Sequence, residues 1–118
     1  MDVAHTLSFW TALDQLVEEC AVRIDRPKRS HHPNFPELVY PLDYGYLEGS
    51  ISGDGREIDV WVGSLPDREL TAIAVTVDLH KRDSEIKLLL GCTDDEIAVV
   101  LAFHNSGPQS CLVTKRVD

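Results

Sequence analysis

With 118 residues, 43% of them hydrophobic, the chain suits one compact domain spanning 1–118 and is too apolar to be disordered. Its 20 acids against 11 bases give a net charge of −9, which excludes a broad basic face for duplex nucleic acid. No apolar run approaches the roughly 18 residues that span a membrane.

The opening MDVAHTLSFWTALDQ starts with an acid and has no basic n-region, so no secretory signal is expected and a cytoplasmic location is. Residues 8–20 follow as a helix. Trp10, Leu13, Val17 and Cys20 recur at helical spacing with Leu16 beside them, while Asp14, Gln15, Glu18 and Glu19 face outward. Thr6 or Ser8 could cap it. Residues 21–26 read as a strand, and 27–38, with three prolines, as a loop. Residues 39–52 alternate aromatic and β-branched residues with turn formers, and a tight turn is expected at Gly53-Asp54-Gly55.

Strands are expected at 58–62, 70–77 and 86–90, the last two joined by the polar stretch DLHKRDSE. Thr93 to Glu96 forms a capping box opening a helix over 94–104, with Ile97, Val100, Leu101 and His104 on one face. Asn105-Ser106-Gly107-Pro108 ends it, and 110–115 could be a last strand. About five short strands, mostly antiparallel, and two helices make a mainly β, α+β domain. A small twisted barrel with helices outside it fits that content, its core over 21–91.

Cys20, Cys92 and Cys111 are an odd, widely spaced set without a CxxC pair, which reads as reduced thiols. A zinc site using these with His31, His32 and His80 lacks any finger-like spacing.

The acids either simply solubilise the chain or converge on a hard cation. Asp54 sits in the turn, Asp59 inside the apolar strand IDVWV, Asp78 at a strand end, and Asp83, Glu85 and Lys87 in or before the next strand. An unpaired buried carboxylate costs several kcal/mol, so Asp59 either points to solvent or has a cation or hydrogen-bond partner. Carboxylates around a hard cation point to Mg²⁺ and a phosphate ligand. Lys87 and Lys28 could meet phosphate oxygens as point charges, and Tyr40 and Tyr44 could donate to them.

The run Tyr40-Pro-Leu-Asp-Tyr44-Gly-Tyr46-Leu, followed by Asp54-Gly55-Arg56-Glu57-Ile58-Asp59-Val60, resembles the soluble (family I) inorganic pyrophosphatases. Ile24-Asp25-Arg26-Pro27-Lys28, Asp78 and Glu85-Ile86-Lys87 extend the likeness over residues 22–91. The resemblance implies an OB-like five-stranded barrel flanked by helices. It also implies Mg²⁺-dependent hydrolysis of pyrophosphate, or a similar small phosphoanhydride, to phosphate, and a homo-oligomer. Asp54, Asp59, Asp78 and Glu85 would hold Mg²⁺ or Mn²⁺, with Asp83 an alternative to Glu85 and Asp25 acting through water. Lys87 and Tyr44 would grip phosphate and, with Asp59, form the catalytic set. Tyr40 and Lys28 would support the substrate.

Three departures accompany the likeness. Arg56 stands where the family has a water-activating aspartate, and it could bind a phosphate oxygen instead. A hairpin carrying phosphate ligands is compressed into PKRSHHPNFPEL, where Arg29, His31 and His32 are the titratable candidates besides Lys28. The late tyrosine-lysine pair is missing; Lys115 and Arg116 lie too near the end to replace it. The alternative is therefore a pyrophosphatase-like fold without turnover, serving as a metal- or phosphate-binding or assembly module.

Overall fold

Strand alternation decides how this chain layers. The computed structural model describes residues 7–116. Within them lie strands β1 (Ala21–Arg26), β2 (Asp43–Glu48), β3 (Ile58–Val62), β4 (Leu70–Asp78), β5 (Asp83–Leu90) and β6 (Gln109–Lys115), and helices α1 (Leu7–Glu19) and α2 (Asp94–Asn105). The strands form one sheet in the order β1-β2-β3-β5-β4-β6. Trp61, Ala72, Ala74 and Leu89 face one side and pack with Ile97 and Val100 of α2. Val60, Val62, Ile73, Leu88 and Leu90 face the other and pack with Trp10 of α1. Each fully buried aliphatic side chain contributes roughly 1.5–3 kcal/mol, so both faces need a helix to cover them.

The expectation of a mainly β domain with two helices holds; the closed five-stranded barrel does not. The sheet has six strands and is open, with no pairing between β1 and β6 among the described residues. The sixth strand is 109–115, which pairs antiparallel with β4 from Ala72–Lys115 to Asp78–Gln109. The β4–β5 hairpin inserts β5 beside β3, giving a parallel pair, Val60–Leu88 to Val62–Leu90, amid otherwise antiparallel neighbours. Local connections signal hairpins, but nothing in a single sequence says which strand a hairpin will join.

Other boundaries moved. Residues 39–52 carry a strand only over Asp43–Glu48. The polar connector shrinks to a four-residue turn at 79–82, with Arg82 at φ 57°, because β5 already begins at Asp83. The proline-rich segment is closed on itself. His31 and Val39 form a bridge, and backbone bonds join Arg29 N to Tyr40 O, Tyr40 N to Ser30 O and His32 N to Leu38 O.

Ser8 lies inside α1 rather than capping it, and Thr6 lies outside the described residues. The capping box of α2 is formed as expected. Thr93 Oγ1 accepts from Glu96 N (3.2 Å) and Glu96 Oε1 from Thr93 N (2.9 Å). Leu101, expected on the buried face of α2, is exposed; Ile97, Val100 and His104 carry the packing. No helix of the described residues is long and apolar enough to cross a membrane.

Candidate functional site

The alternation that builds the core also builds the site. In β3 and β5 the side of the sheet that carries Trp61 and Leu89 carries Asp59 and Lys87 one repeat earlier and Glu85 two repeats earlier. In β2 the same side carries Tyr44, whose ring packs 4.6 Å from that of Trp61. These residues line a polar cleft of about 650 Å³. A bulge between Ile24 and Arg26 disturbs the β1 register, so the successive residues Asp25 and Arg26 both reach this cleft. Glycine at 45 lets β1 and β2 approach, since a Cβ there would collide with the carbonyl of Arg23.

Lys87 is the centre of the arrangement. It is 3% exposed, and its Nζ donates to Asp59 Oδ2 (2.7 Å), Tyr44 Oη (2.8 Å) and Glu85 Oε2 (3.2 Å). Burial works against its charge, but its hydrogen-bonded neighbours Tyr44 and Asp59 overcome that and hold its pKa above the usual lysine value. Burial pushes the Tyr44 hydroxyl up, so it stays protonated at neutral pH. Asp59 therefore does have a cation partner, and that partner is Lys87.

Asp54 is exposed in its turn, where Gly55 takes φ 85°; its Oδ1 accepts from Ser52 Oγ (2.5 Å) and Arg56 N (2.9 Å). Asp54 and Glu85 line the same cleft and shift each other's proton affinity in opposite directions. The Glu85 carboxyl, with Ser52 and the Arg56 amide, holds Asp54 well below the usual carboxylate range. Glu85 is pushed up by burial and by Asp54. Two neighbouring carboxylates in one cleft are a donor set that one hard divalent cation can bridge. Mg²⁺ commonly takes one or two carboxylates and fills its shell with water and phosphate oxygens. Among the described residues no group of three or more acidic, histidine or cysteine side chains is arranged to hold a metal by itself.

The remaining expected residues are dispersed. Tyr40, Arg56 and Asp83 line the polar cleft, and Tyr40 Oη accepts from Arg26 Nη1 (2.9 Å). Lys28 is exposed and does not line it; its backbone N–H donates to Asp43 Oδ1. Asp78, 4% exposed, accepts at Oδ1 from the amides of His80 and Lys81, and lines an adjoining cavity of about 560 Å³. Of the compressed loop, His32 reaches the cleft. Arg116 turns away from the site and pairs with Asp14 (2.6 Å).

Arg26, Lys81 and Gln109 line the cleft without having been expected there. Arg26 had no signal, because the bulge after Ile24 pairs it with Tyr44 and turns it to the side of the sheet opposite Val22 and Ile24. Gln109 had none, because its place depends on β6 joining β4.

No protein-family model matches the chain, and no curated protein matches it. Among solved structures, the fold is similar to an inorganic pyrophosphatase from Coxiella burnetii. The TM-score is 0.58 at 13% identity, covering 82% of this chain and 84% of that one. An inorganic phosphatase from Anaplasma phagocytophilum is similar at TM-score 0.56 and 15% identity, covering 80% and 81%. Likeness at these identities is a likeness of fold.

Proposed function

We propose that the polar cleft binds a small phosphoanhydride, with pyrophosphate the simplest case, and hydrolyses it to phosphate with Mg²⁺ or Mn²⁺. The observation that carries this reading is the buried Lys87 held among Tyr44, Asp59 and Glu85, beside the Asp54–Glu85 carboxylate pair. Such a mixture of fixed positive charge and cation-ready carboxylates suits a polyanion that arrives with a divalent ion. Asp54 and Glu85 would hold that ion, which neutralises phosphate charge when bound. Arg56, Arg26 and Lys81 line the same cleft and offer forked or point charges to phosphate oxygens. Tyr44 remains a hydroxyl donor. Asp59 keeps Lys87 charged and in place. Asp25 and Asp83 flank the cleft from β1 and β5, where a carboxylate can take the proton of an attacking water. Positioning and charge neutralisation supply most of the acceleration in phosphoryl transfer.

The test is phosphate release from pyrophosphate with Mg²⁺, with Mn²⁺ and with chelator, using the chain and Asp54→Asn. Asp54 is exposed, so this change leaves the fold intact. Metal-dependent release that Asp54→Asn lowers at least 10-fold supports the hydrolase. A second reading, a binding module without turnover, is favoured by Arg56 standing at the turn where the resembled family has a water-activating aspartate. Pyrophosphate binding by calorimetry with no release in any metal would establish that reading instead. Absence of both binding and release would overturn the two together.

A further inference from the structure

The polar cleft does not end at its phosphate-compatible groups. It opens into the adjoining cavity of about 560 Å³, and His32, Tyr40, Tyr44, Lys81, Lys87 and Gln109 line both. The second cavity has a different chemistry: Phe35, Leu38, Phe103 and Pro108 complete its walls. Its rings form a continuous aromatic surface. His32 stacks on Tyr40 with planes 3° apart, Phe35 leans on His32 (5.2 Å), and Phe103 lies 5.0 Å from Tyr40. Inorganic pyrophosphate has no apolar atom to place there. Binding sites of this size are filled by ligands that combine apolar surface with a few oriented polar contacts.

We propose that the ligand is a nucleoside di- or triphosphate, its phosphoanhydride in the polar cleft and its heterocyclic base in the aromatic cavity. This rests on the phosphoanhydride reading of the cleft and names its substrate class.

Two polar groups fit that occupant. The indole N–H of Trp61 donates to His104 Nε2 (3.0 Å), and an indole can only donate. His104, neutral because burial depresses its pKa, therefore carries its proton on Nδ1 and donates it to Gln109 Oε1 (2.9 Å). That fixes the Gln109 amide at the junction of the two cavities with its oxygen occupied and its NH₂ left to donate, to a base carbonyl or a phosphate oxygen. Asp78 lines the aromatic cavity with a carboxylate that can only accept while ionised, as an exocyclic amine or a ribose hydroxyl requires. Base stacking on aromatic side chains is sequence-tolerant, so the cavity selects for a base before it selects which base.

Calorimetric titration of the full chain in Mg²⁺ compares inorganic pyrophosphate with ADP, GDP, CDP and UDP, which share the same anhydride. At least one diphosphate is expected to bind about 10-fold or more tightly than pyrophosphate. Phe35→Ala, on the exposed rim, should remove most of that advantage and leave pyrophosphate affinity within about twofold. Phe103→Leu, which keeps an apolar side chain at the wall, should act in the same direction. Pyrophosphate binding with no nucleotide binding more tightly would overturn this inference and leave the phosphoanhydride reading standing. Equal weakening of both ligands by Phe35→Ala and by Phe103→Leu would also overturn it. Failure of every ligand to bind would overturn both readings.

Discussion

Lys87 on β5 and Asp59 on β3 meet across the one parallel strand pair of the sheet, Nζ to Oδ2 at 2.7 Å. Removing one member of a buried ion pair strands the other, which costs more than the pair itself contributes. Asp59→Asn should lower stability by about 2–4 kcal/mol in urea unfolding, the lower end reflecting the partial exposure of Asp59. The double change Asp59→Leu with Lys87→Met should recover most of that loss while abolishing ligand binding. If the single change costs less than about 1 kcal/mol, the pair is not what holds Lys87 in place.

His104 sets a pH dependence. Burial, and secondarily Lys87, depress its pKa to about 4. Between pH 4 and 6.5 the unfolded chain takes up a proton that the folded chain refuses. The corresponding stability is fully present above 6.5, falls as the pH drops, and is gone near 4. At ~1.4 kcal/mol for each pH unit the loss approaches about 3 kcal/mol. His104→Gln, which can still accept from Trp61, should flatten the urea midpoint between pH 6.5 and 4.5 relative to the natural chain. Parallel pH profiles in the two proteins would refute the assignment.

Gly45 is required by backbone proximity rather than by a turn. A methyl group there would collide with the Arg23 carbonyl and the Ile24 Cα of the paired strand. Gly45→Ala should cost roughly 3 kcal/mol or more in thermal or urea unfolding, because two paired strands cannot separate without losing their ladder. Gly53→Ala meets no atom within 4 Å and should cost well under ~1 kcal/mol.

The three thiols should separate by reactivity. Cys92 is 3% exposed, and burial, assisted by Glu96, pushes its pKa up to about 12. At pH 8 a disulfide reagent should label Cys92 only on unfolding, whereas Cys20 and Cys111, both half-buried, should react in the native protein. Prompt labelling of Cys92 would mean that the 63–68 loop and the start of α2 open readily.

Much of this was legible from local chemistry. The Thr93–Glu96 box, the Asp54 turn and the odd Asp59 inside an apolar strand are each decided within a few residues of chain, and each is where the pattern placed it. The partner of Asp59 was not legible, because it depends on β5 leaving its hairpin neighbour's far side to lie parallel to β3. Other pairings hid Arg26, which the β1 bulge turns toward Tyr40 and the cleft, and Gln109, whose place beside His104 depends on β6 joining β4. The aromatic cavity was hidden for another reason. Three prolines in the 27–38 stretch signal irregular backbone, and irregular backbone can still fold back to deliver His32 and Phe35 to one wall.

The hydrogen-bonded line from Trp61 through His104 to Gln109 runs from a fully buried indole to the lip of the cleft. It makes the molecule its own optical reporter. A ligand that pulls on the Gln109 amide alters the imidazole on which the indole leans, and Trp61 emission should register occupancy from a residue no ligand touches. Trp10, on the opposite face of the sheet, supplies a constant background against which that change can be read.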